Sequence, residues 1–207
     1  MKKNNLRGVV LVISSPSGAG KTTICKKILE EVNGINLSVS VTTRKKRKDE
    51  VEGVDYFFKN DEEFLLMIKN DEFIENAKVF GNYYGTLKEE VLKKIKNGVD
   101  VLVDIDWQGT RQIQKHIPED IVKIFILPPS IKELECRLRN RASENEEDFL
   151  KRMLEARKEI SHFDEYDFIV INENINEAVC LVKSILYSER QRKSRQLGIT
   201  DFVNKLI

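Results

Sequence analysis

The sequence predicts an α/β protein whose core is a parallel sheet flanked by helices. Three observations carry that expectation. Strand and helix signals alternate along most of the chain; the first strand is a continuous apolar, β-branched run; and a glycine-rich turn joins that run to an amphipathic helix. The 207 residues suit one domain with insertions better than two full domains. An apolar share of 41%, with ten glycines besides, is that of a globular chain rather than a disordered one. Thirty-five basic residues against 34 acidic ones leave a net charge of +1. So even a balance supplies no global field for nucleic acid or an anionic membrane, and any anion must be recognised locally. The longest apolar runs, 9–13 and 64–68, are five residues each, far below the ~20 that span a bilayer. Cys25, Cys136 and Cys180 are odd in number and scattered, with no CxxC spacing. They argue against a disulfide framework and for a reducing compartment. The start MKKNNLRG precedes an apolar stretch too short for a secretory signal, so a cytoplasmic protein is expected.

Each element has its own signal. Residues 9–13 form the buried first strand, and a turn leads to a helix over 21–32 with Ile24, Cys25, Ile28, Leu29 and Val32 on one face. Alternation over 37–43 predicts one strand, the charged stretch 45–55 an irregular loop, and 56–58 a short strand. Helices are expected over 61–70 and 87–97, the second opened by a capping box of Thr86 with Glu89. Strand 99–104, helix 107–116 and strand 121–127 follow. Pro128-Pro129 stops that strand, and Ser130 with Glu133 makes a second capping box opening a helix over 131–139. Residues 139–147 are polar and read as a mobile segment, 147–163 as helix, 168–171 as strand and 176–195 as a terminal amphipathic helix. Right-handed crossovers would make the sheet parallel. Residues 38–97 break the rhythm and are expected to form an insertion over the sheet's carboxyl edge.

Chemistry first appears after the opening strand, where the chain reads Ser15-Pro16-Ser17-Gly18-Ala19-Gly20-Lys21-Thr22-Thr23. This is the G-x-x-x-x-G-K-[ST] pattern with Ser15 in place of the leading glycine. Backbone N–H groups can converge on a phosphate only where Gly18 and Gly20 permit unusual dihedrals and close approach. The following helix adds its N-terminal donors and partial positive charge. Lys21 is placed for the β- and γ-phosphates and Thr22 for Mg²⁺. A plain glycine-rich turn is the bland alternative; strand, loop, Gly-Lys-Thr and amphipathic helix in that order favour a nucleotide site. Val101-Leu102-Val103-Asp104 supplies an acid at a strand's carboxyl end, where open α/β sheets bind ligands. Asp106 adds a second negative charge, costly without a cation or donor nearby.

A second anion pocket is signalled by Ser38-Val39-Ser40-Val41-Thr42-Thr43-Arg44-Lys45-Lys46-Arg47, which puts two guanidinium forks three residues apart beyond a strand. Tyr56 and Tyr84 lie near glycines, and their hydroxyls could complete a phosphate shell, although a strand tyrosine is more often packing. In series, SVSVTTR…R, EGVDYFF, EFIENAKVFGNYYGT and VLVDIDWQG resemble the guanylate kinase family over about residues 8–195. The resemblance implies a P-loop nucleoside monophosphate kinase spanning 6–190. Its core would be 6–37, 98–136 and 157–195, with a GMP-binding α+β insertion over 38–97, a small mobile lid over 137–156 and a tail over 196–207. It implies transfer of the γ-phosphoryl group of ATP to GMP, with Mg²⁺ as cofactor and ATP as co-substrate. Position by position, ATP would lie on Ser15, Pro16, Ser17, Gly18, Ala19, Gly20, Lys21, Thr22, Thr23, Arg141 and Asn172. GMP would lie on Ser40, Arg44, Arg47, Tyr56, Glu75, Tyr84, Gly85, Thr86, Asp104 and Asp106. Thr22 and Asp104 would hold Mg²⁺, directly or through water. Catalysis would fall to Lys21, Arg44, Asp104, Arg137, Arg141 and Arg152. Arg141 is followed by Ala142 where the family often has glycine, a departure that bears on the lid hinge.

Base preference has a direct chemical reason. Guanine presents N1–H and an exocyclic amine on one edge, two donors that the Glu75 carboxylate would accept in parallel. Adenine offers an acceptor at N1 and no 2-amine, so the acid would stay unpaired. A kinase for AMP, CMP or UMP would need no acid there, and a non-catalytic guanylate-kinase-like binding module would need no working phosphate loop. His116 and His162 are expected at surface or helix-end positions, since a phosphate monoester needs no strong side-chain base. The run Arg190-Gln191-Arg192-Lys193 reads as a solvated helix face rather than an RNA contact. The expected partners are ATP and GMP, with no nucleic acid and no membrane, and with monomer and homo-oligomer both open.

Overall fold

A computed structural model describes residues 6–79, 81–141 and 146–207. In chain order the elements are β1 (Val10–Ser14), α1 (Lys21–Glu31), β2 (Ile35–Leu37), β3 (Ser40–Thr42), β4 (Tyr56–Phe58), α2 (Asp61–Lys69), β5 (Phe73–Val79), β6 (Asn82–Leu87) and α3 (Lys88–Lys96). They continue with β7 (Asp100–Asp104), α4 (Trp107–His116), β8 (Ile121–Leu127), α5 (Ile131–Arg141), α6 (Glu146–Ile160), β9 (Phe168–Ile171), α7 (Ile175–Arg190) and α8 (Ile199–Asn204). Short 3-10 turns lie at Phe163–Glu165 and Lys193–Arg195.

The core is a five-stranded sheet in the order β2-β7-β1-β8-β9, with every pair parallel. The unbroken apolar run of β1 follows from its central place, since both of its faces are covered. Leu11 and Ile13 join Ile24 and Ile28 of α1 and Val179 and Val182 of α7, while Val10 and Val12 join Val91 and Ile95 of α3 and Ile113 of α4. Each such side chain contributes about 1.5–3 kcal/mol on burial. A second sheet, β4-β3-β6-β5, lies within the stretch predicted as an insertion. Its own small core stacks Phe64 of α2 on Phe73 and Tyr83, with ring centroids 4.5 and 5.3 Å apart. The Gln112 amide of α4 holds its β5 edge through two 3.0 Å bonds to the Asn76 backbone.

Several expectations are corrected. The alternation over 37–43 is not one strand: β2 ends at Leu37 in the core sheet and β3 begins at Ser40 in the other sheet. Both halves keep the alternating pattern, so periodicity does not mark the change of sheet. The antiparallel pair β5–β6, Phe73–Val79 with Asn82–Leu87, carried no strand assignment from the sequence, and Leu87, expected to begin a helix, ends β6. Thr86 does not cap α3, whose N-cap is Leu87 without a side-chain bond; its hydroxyl donates to Glu75 instead, at 2.6 Å. Half of the second capping box forms, Glu133 N–H donating to Ser130 Oγ at 3.1 Å. The Glu133 carboxylate turns to Arg137 Nε at 2.8 Å rather than back to the cap. Helix α5 extends to Arg141, so the polar segment predicted over 139–147 is helical at both ends, while 142–145 lie outside the described residues. Helix α7 stops at Arg190, and the predicted tail carries α8. In the basic run Gln191, Arg192 and Lys193 are exposed, as expected, while Arg190 is half-buried and pairs with buried Asp100 at 2.6 Å, and Arg192 reaches buried Glu189 at 2.8 Å. Among the described residues no helix is long and apolar enough to cross a membrane.

Candidate active site

Strand β1 delivers the chain to the carboxyl edge of the sheet at its centre, and residues 15–20 turn over that edge into α1. Gly18 and Gly20 take φ values of 90° and 97°, left-handed conformations that glycine adopts without strain. The Gly20 position is also sterically closed, because a methyl there would collide with the Asn172 amide. Asn172 follows β9, is 4% exposed and donates its amide to the Ala19 carbonyl at 2.8 Å. Predicted as an ATP contact, it braces the loop from behind. Pro16 and Ala19 are buried, Ser17 is exposed, and Ser15 is buried with its hydroxyl donating to Pro16 O at 3.0 Å. Ser15 has no positive φ, so it stands at the leading position without backbone strain. Thr22 and Thr23 are exposed in the first turn of α1, which carries no acidic residue to compete for its N-terminal donors.

Lys21 forms an ion pair with Asp104 at the end of β7. Burial pulls the ammonium's pKa down, but the charge and hydrogen bond of Asp104, assisted by Glu159, more than offset it and hold the pKa above the usual lysine value. One turn along, burial pushes the Cys25 thiol up to about 12, which leaves it neutral and unreactive. The loop thus faces outward with a fixed cation and free helix donors.

Opposite it opens a cleft of about 340 Å³, bordered by Thr22, Leu37 and Asp104 on the core side and by Ser40 and Tyr56 toward the second sheet. Arg44 stands at the end of β3, 2.5 Å from Glu50 and 5.4 Å above the Tyr56 ring. The hydrogen bond to Glu50, with help from Tyr84, raises its pKa. The Tyr56 and Tyr84 rings meet edge to face at 6.1 Å. Arg44, Tyr56 and Tyr84 are therefore one cluster, as expected. Arg47 is exposed and joins through its backbone N–H, 2.8 Å from Glu50 Oε2, and through its charge on that carboxylate. Glu50, which binds both arginine positions, went unnoticed in the sequence because an acid within a charged loop carries no spacing signal.

Glu75 is the site's buried acid, at 5% exposure. A bulge in β5 between Phe73 and Glu75 turns Ile74 into the core cluster and sets Glu75 opposite Thr86. Burial lifts its pKa to about 7; hydrogen bonds from Thr86 pull against that shift, and the Asp106 charge adds to it. Gly109 backs the acid so closely that a methyl there would lie 3.2 Å from Glu75 Oε2. The second negative charge at Asp106 finds its donors at once, since Oδ1 caps α4 by accepting from Gln108 N at 2.9 Å and Gly109 N at 3.0 Å. Gly85 is buried against Phe73 and Phe64.

Of the predicted lid arginines, Arg137 bonds Glu133 at 2.8 Å and the Asn172 carbonyl at 3.4 Å, beside the loop brace. Arg152 is half-buried on α6. Arg141 ends α5, and its side chain lies outside the described residues, as does Ala142. His116 is exposed at the end of α4, and His162 follows α6, stacked on Trp107 at 3.7 Å; neither reaches the cleft lining. A larger hollow of about 410 Å³ lies near Pro118, Ile121, Phe168 and Arg195, at the amino ends of β8 and β9. Ligands of open α/β sheets bind at the other edge.

A parallel α/β core with a phosphate-binding loop at the carboxyl end of its central strand defines a P-loop NTPase fold. Comparison with known proteins narrows this further. The guanylate kinase family profile matches residues 7–189. The chain is 49% identical over 200 residues to the guanylate kinase of Paramagnetospirillum magneticum, covering 97% of this chain and 94% of that protein. It is 48% identical over 192 residues to that of Rickettsia prowazekii, covering 93% and 96%. The crystal structure of guanylate kinase from Anaplasma phagocytophilum matches it with a TM-score of 0.77 at 40% identity, over 97% of this chain and 95% of that one. The chain belongs to the guanylate kinase family and is a nucleotide-binding kinase.

Proposed function

We propose that the chain transfers the γ-phosphoryl group of ATP to GMP, giving ADP and GDP, in the salvage and recycling of guanine nucleotides. The observation that carries this reading is a single cleft bordered by Thr22 and Asp104 of the core on one side and by Ser40 and Tyr56 of the second sheet on the other. Buried Glu75 supports guanine as the base, because a carboxylate withdrawn from water needs the two donors that guanine supplies and adenine lacks.

In this reading the loop N–H groups and Lys21 hold the triphosphate, and Arg44, Arg47, Tyr56 and Tyr84 hold the GMP phosphate. A GMP phosphate oxygen forms the new bond to the γ-phosphorus as the bond to the β,γ-bridging oxygen breaks and ADP leaves. Lys21 and the arginines Arg137, Arg141 and Arg152 offset the charge on the equatorial oxygens. No side chain needs to remove a proton, because a phosphate monoester is already largely ionised at neutral pH. Thr22 and Asp104 offer the hard oxygen donors that Mg²⁺ takes together with phosphate oxygens and water. Among the described residues no cluster of three or more His, Cys, Asp or Glu side chains offers another metal site. Mg²⁺ bound there would neutralise triphosphate charge.

A coupled ADP-release assay with ATP, Mg²⁺ and GMP, AMP, CMP or UMP tests the reading. ADP release is expected with GMP and at background level with the other three. Equal use of AMP would point to a sister kinase, and no transfer to any acceptor to a binding module.

A further inference from the structure

Glu159 is given no ligand in the reading above, yet it touches the phosphate loop. It lies in the last turn of α6, and its Oε2 accepts from Ser17 N–H at 3.2 Å. It also lies within electrostatic reach of Lys21. A loop N–H and a lysine ammonium are the two kinds of donor that a nucleotide phosphate would use, so the carboxylate stands as an anion in an anion site. Burial raises its pKa, Lys21 and Ser17 draw it back, and Asp106 and Glu155 add to the rise. Helices α5 and α6 form a hairpin around Leu134, Leu138, Phe149, Met153 and Ala156. That hairpin meets the loop at the very next residue too: a methyl on Gly18 would lie 3.0 Å from Leu134 and 3.2 Å from Leu138. The hairpin therefore rests on the loop by an apolar contact at Gly18 and a charged one at Ser17.

On the reading that this loop takes ATP, we propose that Glu159 is a positioning residue that occupies the Ser17 donor until a triphosphate displaces it, so that phosphate arrival releases the charged tie between the hairpin and the loop. A phosphate oxygen and Glu159 compete for one N–H and repel each other across it. The carboxylate holds the Ser17 N–H in the free protein at the expense of ATP affinity.

Glu159→Gln tests this, because it keeps the shape and the accepting oxygen while removing the charge. With the full-length chain, the dissociation constants for ATP and for inorganic tripolyphosphate should both fall about three- to tenfold, the size of one screened like-charge contact. The GMP constant should stay put. In turnover, KM for ATP should fall while KM for GMP does not, a split that a merely structural role would not produce. Glu159→Asp, one methylene shorter, withdraws the charge from Ser17 and should tighten ATP by a smaller factor, which keeps the test open if the Gln variant unfolds. ATP binding that is equal or weaker in both variants, with wild-type GMP phosphorylation intact, overturns the role of Glu159. A wild-type protein that binds no ATP overturns the proposed function itself and this role with it.

Discussion

Replacing Glu75 by Gln should make the protein more stable and a poorer GMP binder at the same time. The acid's pKa is carried from 4.5 to about 7, chiefly by burial. At 1.36 kcal/mol per unit, ionising it costs the folded state up to about 3 kcal/mol. The sign follows from proton counts. Between pH 4.5 and 7 the folded state keeps a proton that the unfolded chain has lost, so this group's contribution to stability falls as pH rises through that window. Gln can keep accepting from the Thr86 hydroxyl, now 2.6 Å from Glu75, without an ionisation cost. The stability difference between Glu75→Gln and wild type should therefore be small at pH 4.5, open toward pH 7 and stay constant above it. GMP affinity should drop about 10- to 150-fold, the equivalent of about 1.5–3 kcal/mol for lost charge-assisted bonds to the guanine edge. ATP affinity should not change. Urea unfolding at pH 4.5 and 8, with calorimetric titration of each nucleotide, reads all three quantities. A variant less stable than wild type at pH 8, or one that loses ATP and GMP affinity alike, would refute the assignment of Glu75 to the base.

Three further outcomes are expected. Asp106→Asn keeps a good helix cap but removes a charge that raises the Glu75 pKa; the window in which the Glu75→Gln stability difference opens should move to lower pH, and an unmoved profile would sink the coupling. Lys21→Ala should abolish phosphoryl transfer in the coupled assay while the thermal unfolding curve persists, and wild-type turnover in that variant would remove Lys21 from its role. Gly20→Ala places a methyl against the Asn172 amide at a φ of 97°, so it should cost more than about 1 kcal/mol in urea unfolding and weaken ATP binding; wild-type stability would show that the loop has another conformation available.

What the sequence determined by itself is local: the buried run of β1, the loop that turns at Gly18 and Gly20 into α1, the carboxylate closing β7, and the helix–strand rhythm after residue 99. These depend on side-chain period, on glycine dihedrals and on neighbours within a few positions, so they survive reading one residue after another. The family resemblance extended that reach to Arg44, Tyr56 and Tyr84, which the fold gathers into one cluster, and to Glu75. It did not convey why Glu75 binds protons so tightly. That depends on the bulge and packing that withdraw the acid from water and on the Asp106 charge at the start of α4, which together outweigh the opposing hydrogen bonds of Thr86 across the hairpin. The switch of sheets between Leu37 and Ser40 is equally silent, because alternation looks the same in either sheet. Two contacts at the loop come from farther still, Glu159 to Ser17 across 142 residues and Asn172 to Ala19 across 153. Burial, charge competition and bracing are properties of what surrounds an atom in space, and only the tertiary fold decides those neighbours.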